Sequence, residues 1–216
     1  MNFEVARTQM LGQQIRAWEV LDERVLRALR ETPRERFVPT DYRDLAFADA
    51  EIPLGHGQVM LAPKIEGRLL QAVQAEPIDE VLLVGTGSGF LTACLARLAK
   101  HVVSVDIVGE FVAAARPRFA EHEIGNVSFE VADALALSHT ARFDVVAVTA
   151  SVPDPTNHFI EMLRPQGRLF IVVGREPVME AQLITMQPNG STTTENLFET
   201  VLTPLINAER PAPFVL

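Results

Sequence analysis

VLLVGTGSGFLTACLARLAKHVVSVDI, Val81 to Ile107, decides the fold. An apolar run, Val81–Val84, feeds a loop with glycines at 85, 87 and 89. A helix-like stretch over Phe90–Lys100 follows, and a second apolar run ends on Asp106. That is a strand–loop–helix–strand unit with a nucleoside-sized pocket at the top of the first strand. Glycine suits the loop because a Cβ holds a ligand away from the backbone and tight turns often need positive φ. Asp106 lies about 20 residues past the first glycine, where an acid accepts hydrogen bonds from ribose hydroxyls.

The glycine spacing separates ligand classes. The dinucleotide fingerprint GxGxxG fails at its third glycine, where this chain has Phe90, and the Gly-Lys-Ser/Thr ending of a phosphate loop is absent. What remains is GxGxG, the spacing of S-adenosylmethionine methyltransferases. A glycine turn that binds nothing is the alternative, and the acid at the next strand end weighs against it.

Working outward, the alternation of strands and helices continues. Gly109–His122 reads as a helix, Val127–Val131 as a strand running toward Asp133, and Phe143–Ala150 as an apolar strand. A short helix over Thr156–Leu163 and a strand over Arg168–Val173 come next. Ala181–Gln187 and Leu197–Leu205 read as antiparallel strands joined by the turn Pro188-Asn189-Gly190. On the N-terminal side a helix over Ile65–Gln74 precedes the first strand. Before it, Val5, Met10, Leu11 and Ile15 mark one apolar helix face, and Val20, Leu21, Val25, Leu26 and Leu29 another. Thr32-Pro33 ends that second helix. Phe37 to Pro63 is irregular, and a loop of that length in a compact domain is usually functional. The expected fold is an α/β, Rossmann-like, doubly wound and mostly parallel sheet with N-terminal helices and a C-terminal antiparallel hairpin. The expected organisation is a single domain over 1–216, with N-terminal helices and substrate loop in 1–75, a cofactor core in 76–175, and hairpin and tail in 176–216.

Composition narrows the function. Of 216 residues 48% are hydrophobic and 22% charged, ordinary for a globular protein, and the net charge of −9 argues against nucleic acid as a partner. The basic cluster Arg34–Arg36 reads as a solvated face. One cysteine, Cys94, excludes an intramolecular disulfide and a cysteine zinc cluster, and its setting suggests a core residue. Nothing approaches the roughly 18 consecutive apolar residues of a membrane span, and Met1–Glu4 does not open a signal peptide, so a cytoplasmic protein is expected.

Larger segments carry a resemblance. QMLGQQIRAWEVLDERVLRALRETPRERFVP, AFADAEIPLGHGQ, VLLVGTGSGFLTACLARL, NVSFEVADAL and FDVVAVTASVPDPTNHFIEMLRPQGRLFIVVG together resemble the protein-L-isoaspartate O-methyltransferase family, from about Arg7 to Leu205. The resemblance implies S-adenosyl-L-methionine as cofactor, no metal, and an isoaspartyl carboxylate in a damaged protein as acceptor, with the chain acting as a monomer. It implies a cofactor site of Gly85, Thr86, Gly87, Ser88, Gly89, Asp106, Ile107, Asp133, Ala134 and Thr149, with Asp106 on the ribose and Asp133 on the adenine. Gln58, Val59, Met60 and Leu61 would wall cofactor from substrate, and His56 and Lys64 would stand at the substrate mouth with Glu66. The sulfonium already activates the methyl group and a carboxylate is ionised at neutral pH, so transfer needs alignment in a dry pocket rather than a strong base.

The chain departs from the family pattern inside that pocket. Leu61 stands where the family has the serine most closely tied to catalysis, and Val59 where it has threonine. Leu83 replaces an acid at the end of the first strand, Ala132 and Ala134 replace glycines, and Ile206 stands where threonine is frequent. Three readings follow: isoaspartyl methyl transfer weakened by Leu61, methyl transfer to a different acceptor, and a low-turnover module that binds the cofactor.

Overall fold

The computed structural model describes residues 2–138 and 143–208. The N-terminal fifty residues are helical, as expected. Helix α1 (Phe3–Met10) starts at Asn2, whose side chain accepts from the Glu4 and Val5 amides at 3.2 Å. A π turn over Leu11–Ile15 and a 3-10 turn over Arg16–Trp18 follow, then α2 (Glu23–Glu31), capped by Asp22 and ended before Pro33. Two expected core residues face solvent instead. Val5 is 51% exposed, because the inward face of α1 is Phe3, Ala6 and Met10. Leu21 is 62% exposed, in a non-helical link pinned by its amide and that of Asp22 to Gln71 Oε1.

The stretch from Phe37 to Pro63 is more ordered than its sequence suggests. It holds a 3-10 segment, Thr40–Leu45, and a hairpin of β1 (Ile52–Gly55) and β2 (Gln58–Met60). Helix α3 (Pro63–Val73) begins with proline, whose missing N–H costs nothing in a first turn.

The core alternates β3 (Glu80–Val84), α4 (Phe90–Ala96), β4 (His101–Asp106), α5 (Gly109–Glu121), β5 (Val127–Val131), β6 (Phe143–Val152) and β7 (Leu163–Arg175). Helix α4 stops four residues before Lys100 because Asn126 Nδ2 takes the carbonyls of Ala96 and Ala99, at 2.8 and 3.2 Å, ending the helical ladder. The helix expected over Thr156–Leu163 is reduced to one 3-10 turn, Ile160–Met162, since Leu163 already pairs with Phe143. Strands β8 (Val178–Met186) and β9 (Thr192–Glu199) complete the sheet. The last strand starts five residues before the expected Leu197 because Gln187 N bonds Ser191 O at 2.7 Å, closing the turn at once. Its exposed threonines lack the apolar alternation that would announce a strand.

The sheet runs β5-β4-β3-β6-β7-β8-β9, parallel as far as β7 and antiparallel thereafter. Val81 and Leu83 face one core, with the N-terminal helices and α3, while Leu82 and Val84 face the other. Burial on both faces is why β3 reads as an unbroken apolar run. The winding reverses between β3 and β6, opening a crevice beyond the strands' C-terminal ends. Among the described residues no helix is long and apolar enough to cross a membrane.

Candidate functional site

The crevice at the switch point is a cleft open to solvent, lined by the ends of β3, β4 and β6 and by the β1–β2 hairpin. Its first wall is the loop after β3. Gly85 and Gly87 have φ of +95° and +47°, a region that side chains resist. A Cβ at Gly85 would run into Thr149 Oγ1, which itself donates to Val84 O at 2.9 Å. The Gly85 amide bonds Val105 O at 2.8 Å, tying the loop to β4. Below it, Thr86, Ser104 and Thr92 form a buried hydroxyl chain with spacings of 2.8 and 3.0 Å. Arg118 donates to the Ser88 carbonyl at 3.2 Å. Thr92, Ser104 and Arg118 escaped the sequence reading because hydroxyls and a helical arginine carry no motif of their own.

Asp106 holds the same loop. Its oxygens accept from the Gly87 and Val108 amides, each at 2.9 Å. Both oxygens keep a second lone pair, so hydroxyl donors can still be accepted. Asp133 accepts from the Leu135 amide and the Asn207 side-chain amide, also at 2.9 Å. Thr86, Ser88, Ile107, Ala134 and Thr149 line the cleft beside them, whereas Gly89 lies outside the lining and caps α4.

The opposite wall is apolar: Leu54, Val59, Met60 and Leu61 from the hairpin region, with Leu91 and Phe111, and with Gln58 as its polar member. Leu61 is buried, and its carbonyl accepts from Arg34 Nη2 at 2.7 Å. Arg34, expected on a solvated face, is only 1% exposed, and its neighbours Pro33, Phe37 and Val38 were the available signal. Its Nε donates to Ala46 O at 2.8 Å, its Nη1 pairs with Glu66, and its guanidinium lies 4.7 Å from the Phe90 ring centre. Burial pushes the Glu66 carboxyl up to about 7, against the pull of Arg34. Glu66 therefore sits inside the cleft lining rather than at its rim. Cys94 is buried behind, its thiol pushed up to about 12 by desolvation, which suits a core residue rather than a nucleophile.

Two expected mouth residues are engaged elsewhere. His56, in the tight turn between β1 and β2, meets Phe111 edge-on at 5.6 Å but does not line the cleft. Lys64 pairs with Asp49 at 2.8 Å and lies 4.7 Å from the Trp18 ring centre, also outside the lining. Residues Thr203, Leu205 and Ile206 do line it, delivered by bonds between the Ser151 backbone and Thr203 and Leu205.

Among the described residues the lining carries three carboxylates, Glu66, Asp106 and Asp133, and no lysine, arginine or histidine. An acidic, largely apolar cleft with loop amides near its floor favours a cationic ligand with a polar nucleoside end. S-adenosylmethionine, with its sulfonium and ammonium, fits that donor and acceptor set.

Comparison with known proteins agrees with the geometry. The family model for protein-L-isoaspartate(D-aspartate) O-methyltransferase matches residues 6–210. A protein-L-isoaspartate O-methyltransferase of Koribacter versatilis is 35% identical over 212 residues, covering 98% of this chain and 95% of that one. Its counterpart in Aeropyrum pernix is 34% identical over 209 residues, with 94% and 80% covered. Among solved structures, a Plasmodium falciparum chain described as a protein-L-isoaspartate O-methyltransferase, in complex with S-adenosyl-L-homocysteine, superposes with a TM-score of 0.81 at 18% identity. The match covers 95% of this chain and 99% of the other, and it establishes the shared fold.

Proposed function

The chain belongs to the protein-L-isoaspartate(D-aspartate) O-methyltransferase family, and we infer from that premise that it transfers a methyl group from S-adenosyl-L-methionine to an isoaspartyl carboxylate in damaged proteins. The observation that carries the reading is the cleft at the switch point, where the glycine loop, Asp106 and Asp133 face a wall of Val59–Leu61. The cofactor, when bound, supplies a methyl group already activated by a positively charged sulfur. What the protein adds is placement. Gly85 and Gly87 let the loop backbone approach the ligand, with Thr86 and Ser88 beside them and Thr149 beneath. Asp106 holds the ribose hydroxyls and Asp133 the adenine amino group, with Ile107 and Ala134 flanking. Gln58 to Leu61 exclude water from the line of transfer, which raises the effective concentration of the acceptor.

Leu61 is the weak point of this arrangement. Its side chain has no group to align or stabilise the reacting oxygen, and one such group is worth about 10²–10³ in rate. Leu61→Ser is expected to raise formation of base-labile methyl esters on an isoaspartyl peptide by that order. A variant no faster than the wild type removes Leu61 as the cause of slow turnover.

A second reading has an observation of its own. Among the described residues of the lining no lysine, arginine or histidine awaits a carboxylate acceptor, which enters beside Asp106 and Asp133, an unfavourable field. A small neutral or cationic acceptor meets no such penalty. Labelled methyl from the cofactor appearing in small molecules of a cell extract, and not in protein esters, would select this second reading. Tight cofactor binding without label in either fraction would select a regulatory module instead.

We further propose that the chain works as one monomeric unit in the cytoplasm. The edge strand β9 supports the monomer: polar and acidic residues such as Glu195 discourage pairing with another sheet. The net charge of −9 supports a protein or peptide partner over nucleic acid.

A further inference from the structure

The acids of the cleft differ in what they have left to offer. Asp106 has both oxygens on backbone amides, and Asp133 has one on an amide and one on Asn207. Glu66 is different. Its Oε2 takes the Arg34 guanidinium, while Oε1 accepts no hydrogen bond from any described residue and is not sealed from solvent. The residue is only 2% exposed and belongs to the lining of the cleft. A nearly buried carboxylate oxygen without a donor is costly, so the position calls for a ligand N–H.

The position in the fold says which end of a ligand would supply it. Asp133 and Asp106 stand at the ends of β5 and β4, while α3, which carries Glu66, packs against β6 and β7. Three strand spacings separate β5 from β6, roughly 14 Å at about 4.8 Å each. A ligand with its nucleoside over β5 and β4 therefore extends its other end across β3 toward Glu66. Of the three carboxylates among the described lining residues, Glu66 alone is carried by a helix on that side rather than by the ends of β4 and β5. Arg34, fixed by Ala46 O and Leu61 O, holds the carboxylate from behind.

We propose that Glu66 receives the α-ammonium of the cofactor's methionine portion, and that Arg34 is the positioning residue that fixes its carboxylate. This assignment rests on the methyltransferase reading. A nearby ammonium also opposes the burial that raises the Glu66 carboxyl, keeping it ionised where it is needed.

The test is calorimetric binding of S-adenosylhomocysteine and of its des-amino analogue to the full chain, wild type and Glu66→Gln. In the wild type, loss of the amino group is expected to weaken binding by about 10- to 100-fold, the worth of one charge-assisted hydrogen bond. In Glu66→Gln, S-adenosylhomocysteine itself weakens by a similar factor and the two ligands bind nearly alike. Equal binding of both ligands to the wild type overturns the assignment whether or not the variant folds. So does full discrimination retained in Glu66→Gln. A wild type that binds neither ligand overturns the methyltransferase reading along with it.

Discussion

The two walls of the cleft differ in what holds them. The wall of the glycine loop is tied by several separate bonds: Asp106 to Val108 and Asp133 to Leu135, each two residues apart, with Gly85 bonded across to Val105 and Asn207 reaching back to Asp133. The acceptor wall hangs on one buried arginine. Leu61 is held by Arg34, 27 residues away in the chain, and Arg34 is held in turn by Ala46 and by Glu66 on α3. Departures from the family pattern fall in both walls, at Ala132 and Ala134 in the first and at Val59 and Leu61 in the second.

Substitutions break the comparison in graded fashion. Arg34→Met is expected to have the largest effect on stability, because it strands the buried Glu66 and releases two carbonyls. Loss of one member of a buried pair costs about 3–5 kcal/mol, measurable by urea denaturation. A cost near zero would mean the acceptor wall stands without its strut. Gly85→Ala acts on the other wall, where a Cβ meets Thr149 and φ is left-handed. It should cost about 1–3 kcal/mol and abolish S-adenosylhomocysteine binding by calorimetry. Retained affinity would show that the loop tolerates displacement. Lys64→Ala should do least. Its partly exposed pair with Asp49 and its contact with Trp18 together are worth about 1 kcal/mol, and cofactor affinity should not move. A drop in affinity would extend the acceptor wall to the outer face of α3.

That contrast also explains what could be read from the sequence. Gly85, Gly87 and Asp106 announce themselves because spacing and residue type are fixed by local backbone geometry. Strands β3, β4 and β5 were legible within a residue for the same reason, as apolar runs between turn signals. Arg34 was illegible because an arginine followed by Glu35 and Arg36 reads as surface. Only the fold brings Glu66, Ala46 and Leu61 around it. The β1–β2 hairpin hid in a Gly- and Pro-rich loop, since its strands are four and three residues long. The 160–162 turn was mistaken for a helix because pairing between β6 and β7 claims Leu163, a decision made by distant residues.

Arg34 grips the main chain at position 61 and bonds no atom of the side chain. Every amino acid presents much the same carbonyl there, so the bond itself does not depend on which side chain stands at that position. The scaffold thereby offers an interchangeable tooth on a fixed jaw: one substitution can alter the lining of the cleft while its strut stays in place.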